Sequence, residues 1–127
     1  MSKVRICIEY PIKNAPLPVL WASIGTPLGL SEWFAEGVTI VGDEYTFVWD
    51  GYELTAKLLP SKVNSFIRFQ WLEDEDTEAY FEIRIEKQPI SGQLSLLITD
   101  YVQASEKEEI VMLWNKNIET LRRKIGI

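Results

Sequence analysis

The chain has no histidine and one cysteine, Cys7, among its 127 residues. Without imidazole there is no Ser-His or Cys-His nucleophile pair, no His-ligated zinc and no ordinary side chain titrating near neutrality. A lone cysteine closes no intrachain disulfide and builds no cysteine metal site, and it fits a reducing, cytoplasmic compartment. Basic residues are scarce too: 13 Lys and Arg against 19 Asp and Glu give a net charge of −6. Phosphate backbones need clustered Lys and Arg, and the one dense basic run, Arg122-Arg123-Lys124, is accounted for by a helix end. Nucleic acid is not expected as a partner. No apolar run approaches the ~20 residues of a membrane-spanning helix, and no apolar leader opens the chain. Neither membrane insertion nor secretion is expected. Any enzyme would have to work with Asp, Glu, Tyr, Lys or a bound cofactor, and no cofactor or metal motif is present.

What is there describes one globular domain over residues 1–127, 46% apolar and 25% charged, with five each of Trp, Tyr and Phe. The last stretch, from Ser105 to Ile127, reads as an amphipathic helix. Ile110, Trp114, Ile118, Leu121 and Ile125 fall on one stripe, flanked by Val111 and Leu113, with Lys116, Glu119, Arg122 and Arg123 opposite. Ser105 and Glu108 have the spacing of a capping box. Acids in the first turn and bases in the last suit the helix dipole, and Gly126 marks a stop.

Ahead of that helix, Lys3–Tyr10 alternates as a half-buried strand, with Val4, Ile6, Ile8 and Tyr10 inward, and Pro11 is expected to break it. Leu17–Ile24 reads as a short helix ended by Gly25. Thr26-Pro27 has the cap-then-proline order that starts another, running to about Ala35. From Val38 the period changes to two. Val38–Val41, Glu44–Trp49, Tyr52–Leu59, Ser65–Leu72, Glu78–Lys87 and Gln93–Val102 read as strands joined by hairpins, with turns at Gly42-Asp43, Asp50-Gly51, Pro60–Asn64 and Pro89–Gly92. Each has one apolar face. Glu73–Asp76 reads as a solvated acidic tip rather than a calcium loop, since it lacks the glycine and alternating ligands of one.

Strand, two short helices, six strands and a long helix make an α+β chain of the helix-grip type. Its residues are also similar to a known family. The run LWASIGTPLGLSEWFAEGV (Leu20–Val38), with YTFVWDG (Tyr45–Gly51), IRFQWLED (Ile67–Asp74), YFEIRI (Tyr80–Ile85), LSLLITDY (Leu94–Tyr101) and the late Leu113-Trp114, resembles START-like domain proteins. These belong with polyketide cyclases, Bet v 1-like proteins and homologues of the Hsp90 ATPase activator, and the likeness is strongest to a small bacterial START-like family without an assigned activity. The resemblance implies a curved antiparallel seven-stranded sheet in the order 1-7-6-5-4-3-2, wrapped around the C-terminal helix, with a cavity between them. It implies no particular chemistry.

The candidate site is the aromatic set under that helix. Trp33, Phe34, Tyr45, Phe47, Trp49, Phe69, Trp71, Phe81 and Trp114 should converge there, either lining a pocket for an apolar or aromatic small molecule or filling the space as core. Asn117 is the polar residue within the helix stripe and either bonds a ligand or sits at an edge. Asp100 has inward parity on the last strand, where it acts as an acid or base, or bonds backbone N–H groups before the helix. Together with Tyr45, Tyr52 and Glu82 it completes the acid–base candidates, and their parities do not put a matched pair in one site. On the outward parity, Cys7, Tyr80, Leu97 and Tyr101 suggest a homodimer face across strands 1, 6 and 7. Binding of a small hydrophobic ligand is read first, a protein-interaction module of the Hsp90-activator kind second, and catalysis third.

Overall fold

The computed structural model describes residues 3–126. The elements follow in the order β1 (Val4–Ile12), α1 (Leu17–Gly25), α2 (Pro27–Trp33), β2 (Gly37–Val41), β3 (Glu44–Trp49), β4 (Tyr52–Lys62), β5 (Phe66–Trp71), β6 (Phe81–Lys87), β7 (Leu94–Val102) and α3 (Lys107–Ile125). All strands pair antiparallel in a single seven-stranded sheet ordered β1-β7-β6-β5-β4-β3-β2. This is the helix-grip arrangement, with the first and last strands of the chain paired so that α3 returns over the sheet.

Both prolines read as breakers are accommodated inside strands. Pro11 pairs opposite Ser95, and β1 runs on to Ile12. β1 is an edge strand, where a missing N–H costs no ladder bond. β4 likewise continues past Pro60 to Lys62 through a register shift between Leu59 and Lys62. There the Ser61 hydroxyl accepts the Arg68 N–H at 3.0 Å, standing in for a strand carbonyl. The turn comes later, at Asn64, whose φ of 66° is left-handed.

The capping box does not form. Ser105 lies in a 3-10 turn, Ala104–Glu106, and α3 begins at Lys107 behind Glu106, which makes no side-chain cap bond. Backbone bonds of that turn, from the N–H of Glu106 to Gln103 and of Lys107 to Ala104, take the place of the side chain. The other end is as expected. Gly126 has φ 82° and its N–H reaches the carbonyls of Arg122 and Arg123. Ile127 lies outside the described residues.

Between β1 and β2, α1 and α2 form a V whose corner is Thr26 rather than Gly25. Thr26 is extended (φ −127°, ψ 152°), and its hydroxyl caps α2 by accepting the Gly29 N–H at 3.0 Å. Gly29 is needed for the sharpness of the bend. A Cβ there would stand 2.0 Å from the Ala22 carbonyl oxygen and 2.7 Å from the Ser23 Cα. The T-P-L-G run thus supplies a cap, a proline at the first helical position and a close helix crossing.

The concave face divides into two territories. Ile8, Ile98, Ile83 and Ile67 line up across β1, β7, β6 and β5 as an aliphatic row. Towards β3 the packing is aromatic: Phe47, Phe69 and Phe81 are fully buried, and Tyr45 nearly so. Trp114, Ile118 and Leu121 of α3 close over both, while Ile110 and Ile125 are half-buried at its ends. Inward parity does not guarantee cover. Val4 at the start of β1 and Leu54 and Tyr52 on β4 are exposed.

Candidate functional site

A cavity of about 280 Å³ opens between the sheet and α3, at the aromatic end. Phe34 forms one wall, carried by the residue that ends α2. Trp49, Tyr52 and Leu54 come from the β3–β4 hairpin, Trp71 and Phe81 from β5 and β6, and Ile110, Leu113, Trp114 and Asn117 from α3. The rings are locked to one another. Phe34 is stacked on Phe81 (5.6 Å) and tilted against Trp114 (5.6 Å), Trp71 meets Phe81 at 4.9 Å, and Trp49 stacks on Tyr52 at 5.3 Å. The Trp49 indole is also pinned by its N–H to the Phe34 carbonyl at 3.1 Å. Rigid rings held this way make a preformed wall rather than a collapsible one. Tyr52 (58% exposed) and Leu113 (53%) form the mouth.

One charged group lines the cavity, Asp100 on β7. Its Oδ2 accepts the Trp114 indole N–H at 2.9 Å and its Oδ1 accepts the Tyr101 backbone N–H at 2.8 Å. The anchoring role expected from sequence is real, but its main partner is the helix's tryptophan rather than the connecting loop. Burial pushes the Asp100 carboxyl above its ordinary range, and the two hydrogen bonds offset this only in part.

Of the residues singled out from sequence, Phe34, Trp49, Trp71, Phe81, Trp114 and Asn117 line this cavity. Trp33, Phe47, Phe69 and Tyr45 lie in the packed interior beside it, with the Trp33 indole donating to the Ser23 carbonyl at 2.8 Å. Asn117 sits half-exposed on the rim, where the cavity meets a shallower groove along α2. Ile110 and Leu113 of the α3 stripe line the cavity as well, and beyond the expected set so do Tyr52 and Leu54. Their inward parity was the available signal, and their exposure is what makes them a mouth. Tyr52 and Asp100 share the cavity, whereas Tyr45 is core and Glu82 is on the opposite face of the sheet.

A family model for a START-like superfamily domain matches residues 1–127. The chain belongs to the START-like superfamily. The solution structure of BfR322 from Bacteroides fragilis is 36% identical over all of this chain and 94% of that one, with a TM-score of 0.67. The Aha1 dimer from Colwellia psychrerythraea, 16% identical over 98% of this chain and 97% of that one, superposes with a TM-score of 0.77. ChR145 from Cytophaga hutchinsonii, 18% identical over 97% and 94%, gives 0.70. The last two likenesses are of fold alone. No curated protein matches the chain at a significant level.

The convex face of this START-like domain is built differently. Successive cross-strand rows read Cys7, Thr99, Glu82, Arg68 and then Glu9, Leu97, Arg84, Phe66. Glu82 is 4% exposed between Arg68 (2.6 Å) and Arg84 (3.0 Å). Burial pushes its carboxyl up, but the hydrogen bonds and charges of Arg84 and Arg68 outweigh this and hold it below its ordinary range. Arg68 lies 4.4 Å over the Tyr80 ring and Arg84 4.2 Å over Phe66, and Tyr80 meets Tyr101 at 5.2 Å. Cys7 is exposed. The acidic tip also departs from expectation: Asp74 is buried and accepts a hydrogen bond from Lys3 Nζ at 3.0 Å, tying the loop after β5 to the start of β1. Among the described residues no helix is long and apolar enough to cross a membrane.

Proposed function

We propose that this START-like domain is a binding module that holds a small apolar or aromatic molecule beneath α3. The observation that carries the reading is the 280 Å³ cavity with aromatic rings on its walls and Asp100 and Asn117 at its edges. Its volume is at the small end for ligand sites, so the occupant is of single-ring size rather than a long lipid. Phe34, Trp49, Trp71, Phe81 and Trp114 provide the contact surface, and Asn117 the hydrogen-bonding edge. Catalysis finds less support, since the cavity's one carboxyl group is bonded to an indole and has no second acid or base beyond the Tyr52 phenol. Thermal unfolding against a panel of aromatic and aliphatic metabolites, with native mass spectrometry for co-purified mass, tests the proposal. Stabilisation by a panel member, lost in Trp71→Ala, is expected. A flat panel together with an empty native mass sinks it.

A second reading is a protein-interaction module of the Hsp90-activator kind, possessing a filled interior and working through its surface. It draws on the full burial of Phe47, Phe69 and Phe81, which leaves little of the aromatic territory hollow. The structural neighbour from Colwellia psychrerythraea is an Aha1 dimer, and a homodimer through β1, β7 and β6 would cover Cys7, Tyr80, Leu97 and Tyr101. Light scattering across micromolar concentrations decides the dimer: a constant monomer mass removes it. A pull-down that recovers a chaperone with the wild-type chain would move this reading ahead of the first.

A further inference from the structure

We infer that the cavity under α3 selects a small organic cation, a quaternary or alkylated ammonium carrying an apolar group, over neutral and anionic molecules of the same shape. The inference rests on the ligand-binding reading above and names its ligand class. It comes from what lines the cavity. Trp49, Tyr52, Trp71, Phe81, Trp114 and Phe34 present rings, Asp100 is the charged lining residue, and neither Lys nor Arg is among the lining residues. Ring faces carry negative potential that attracts an ammonium and repels an anion, most strongly for tryptophan and where water is excluded.

Asp100 adds a carboxyl group whose ionised form a bound cation would favour. Each of its oxygens accepts one hydrogen bond from a neutral donor, the Trp114 indole and the Tyr101 amide. A carboxylate has acceptor capacity beyond two bonds. Among the described residues no ion pair includes Asp100. Lys3 acts on Asp100 only through space, and its ammonium is bonded to Asp74 at 3.0 Å. The site therefore holds a carboxyl group with no cation bonded to it, walled by rings. A bound cation relieves that deficit, and a carboxylate or phosphate ligand would worsen it.

Size limits the choice further. About 280 Å³ corresponds to roughly nine waters at ~30 Å³ each, which suits a trimethylammonium or dialkylamine with one ring or short chain, its apolar end at the Tyr52 and Leu113 mouth.

The test is a set of isosteres: benzyltrimethylammonium, its uncharged carbon analogue neopentylbenzene, and 3-phenylpropanoate, each titrated by NMR while following the tryptophan indole N–H signals. The cation is expected to bind at least as tightly as the hydrocarbon despite its hydration, and the anion not to bind. In Asp100→Asn, which keeps an oxygen for the Trp114 indole, the cation-to-hydrocarbon affinity ratio should fall roughly tenfold. Trp71→Leu retains apolar bulk without a ring face and should lower the same ratio, giving a readout if the Asp100 variant does not fold. Hydrocarbon binding tighter than the cation, or a ratio unmoved in the variants, overturns the cation preference and leaves the pocket reading standing. If no probe perturbs the indoles, the cation preference falls, while the pocket reading stands or falls on the metabolite panel and the native mass.

Discussion

On the concave side Asp100 accepts one indole and one backbone N–H inside a ring of aromatics, while on the convex side Glu82 sits between Arg68 and Arg84. Both carboxylates have inward or covered positions on neighbouring strands β7 and β6, and both lose water on folding. Their acidities nevertheless move in opposite directions. The difference lies in what replaces the water. Guanidinium groups that rest on Phe66 and Tyr80 rings bring positive charge to Glu82, whereas the hydrogen-bond donors of Asp100 are a neutral indole and a backbone amide. The outer face is electrically complete as it stands. The inner carboxyl has no cation bonded to it, and the proposed cation preference draws on that asymmetry.

The largest effect expected on the inner side is from Phe81→Ala. Phe81 touches Phe34, Trp71, Phe69 and Trp114 at once, and its loss should cost about 3–5 kcal/mol in urea unfolding. A cost under about 1 kcal/mol would mean that the cavity wall is not held by ring packing. On the outer side Glu82→Gln should cost about 2 kcal/mol. It stays below the value for a wholly buried pair because Arg68 and Arg84 still reach water, at 34% and 29% side-chain exposure.

Acid separates the two sides by sign. Glu82 is depressed below its ordinary 4.5, so its contribution is complete above that value and is lost as pH falls through the lower folded value. Asp100 is raised above its ordinary 3.8, so ionising it opposes folding at neutral pH, and stability is regained as pH falls from its folded value towards 3.8. Urea unfolding from neutrality to about pH 3 should show the wild type losing its advantage over Glu82→Gln while gaining on Asp100→Asn. Parallel slopes would erase the contrast. The smallest effect is expected from Tyr52→Ala. Tyr52 has inward parity but is 58% exposed, so the change should cost less than about 1 kcal/mol while weakening any ligand at the cavity mouth.

Strand number and the long helix were legible because period-two alternation and the α3 stripe are local patterns, whereas the sheet order was implied only by the resemblance to START-like proteins. The Thr26-Pro27 start of α2 and the Gly126 stop were legible for the same local reason. The misreadings were local patterns outvoted by surroundings. Pro11 stays in β1 because that strand is an edge, Pro60 because a register shift absorbs it, and Ser105 does not cap because the backbone of the 3-10 turn does. At the site, parity brought Trp49, Trp71, Phe81 and Asp100 to the right face. It did not separate rings that line the cavity from Phe47, Phe69 and Trp33, which pack beside it.

Composition alone removed imidazole chemistry and an intrachain disulfide, and alternation alone dictated which residues point inward. Which of those inward residues meet space instead of one another was decided only when α1, α2 and α3 docked. Their placement covers Phe47 and leaves Tyr52 and Leu54 open. It also lays the Trp114 indole on Asp100 across fourteen residues of chain. Parity is a property of each strand by itself, whereas a cavity is the difference between two packed surfaces.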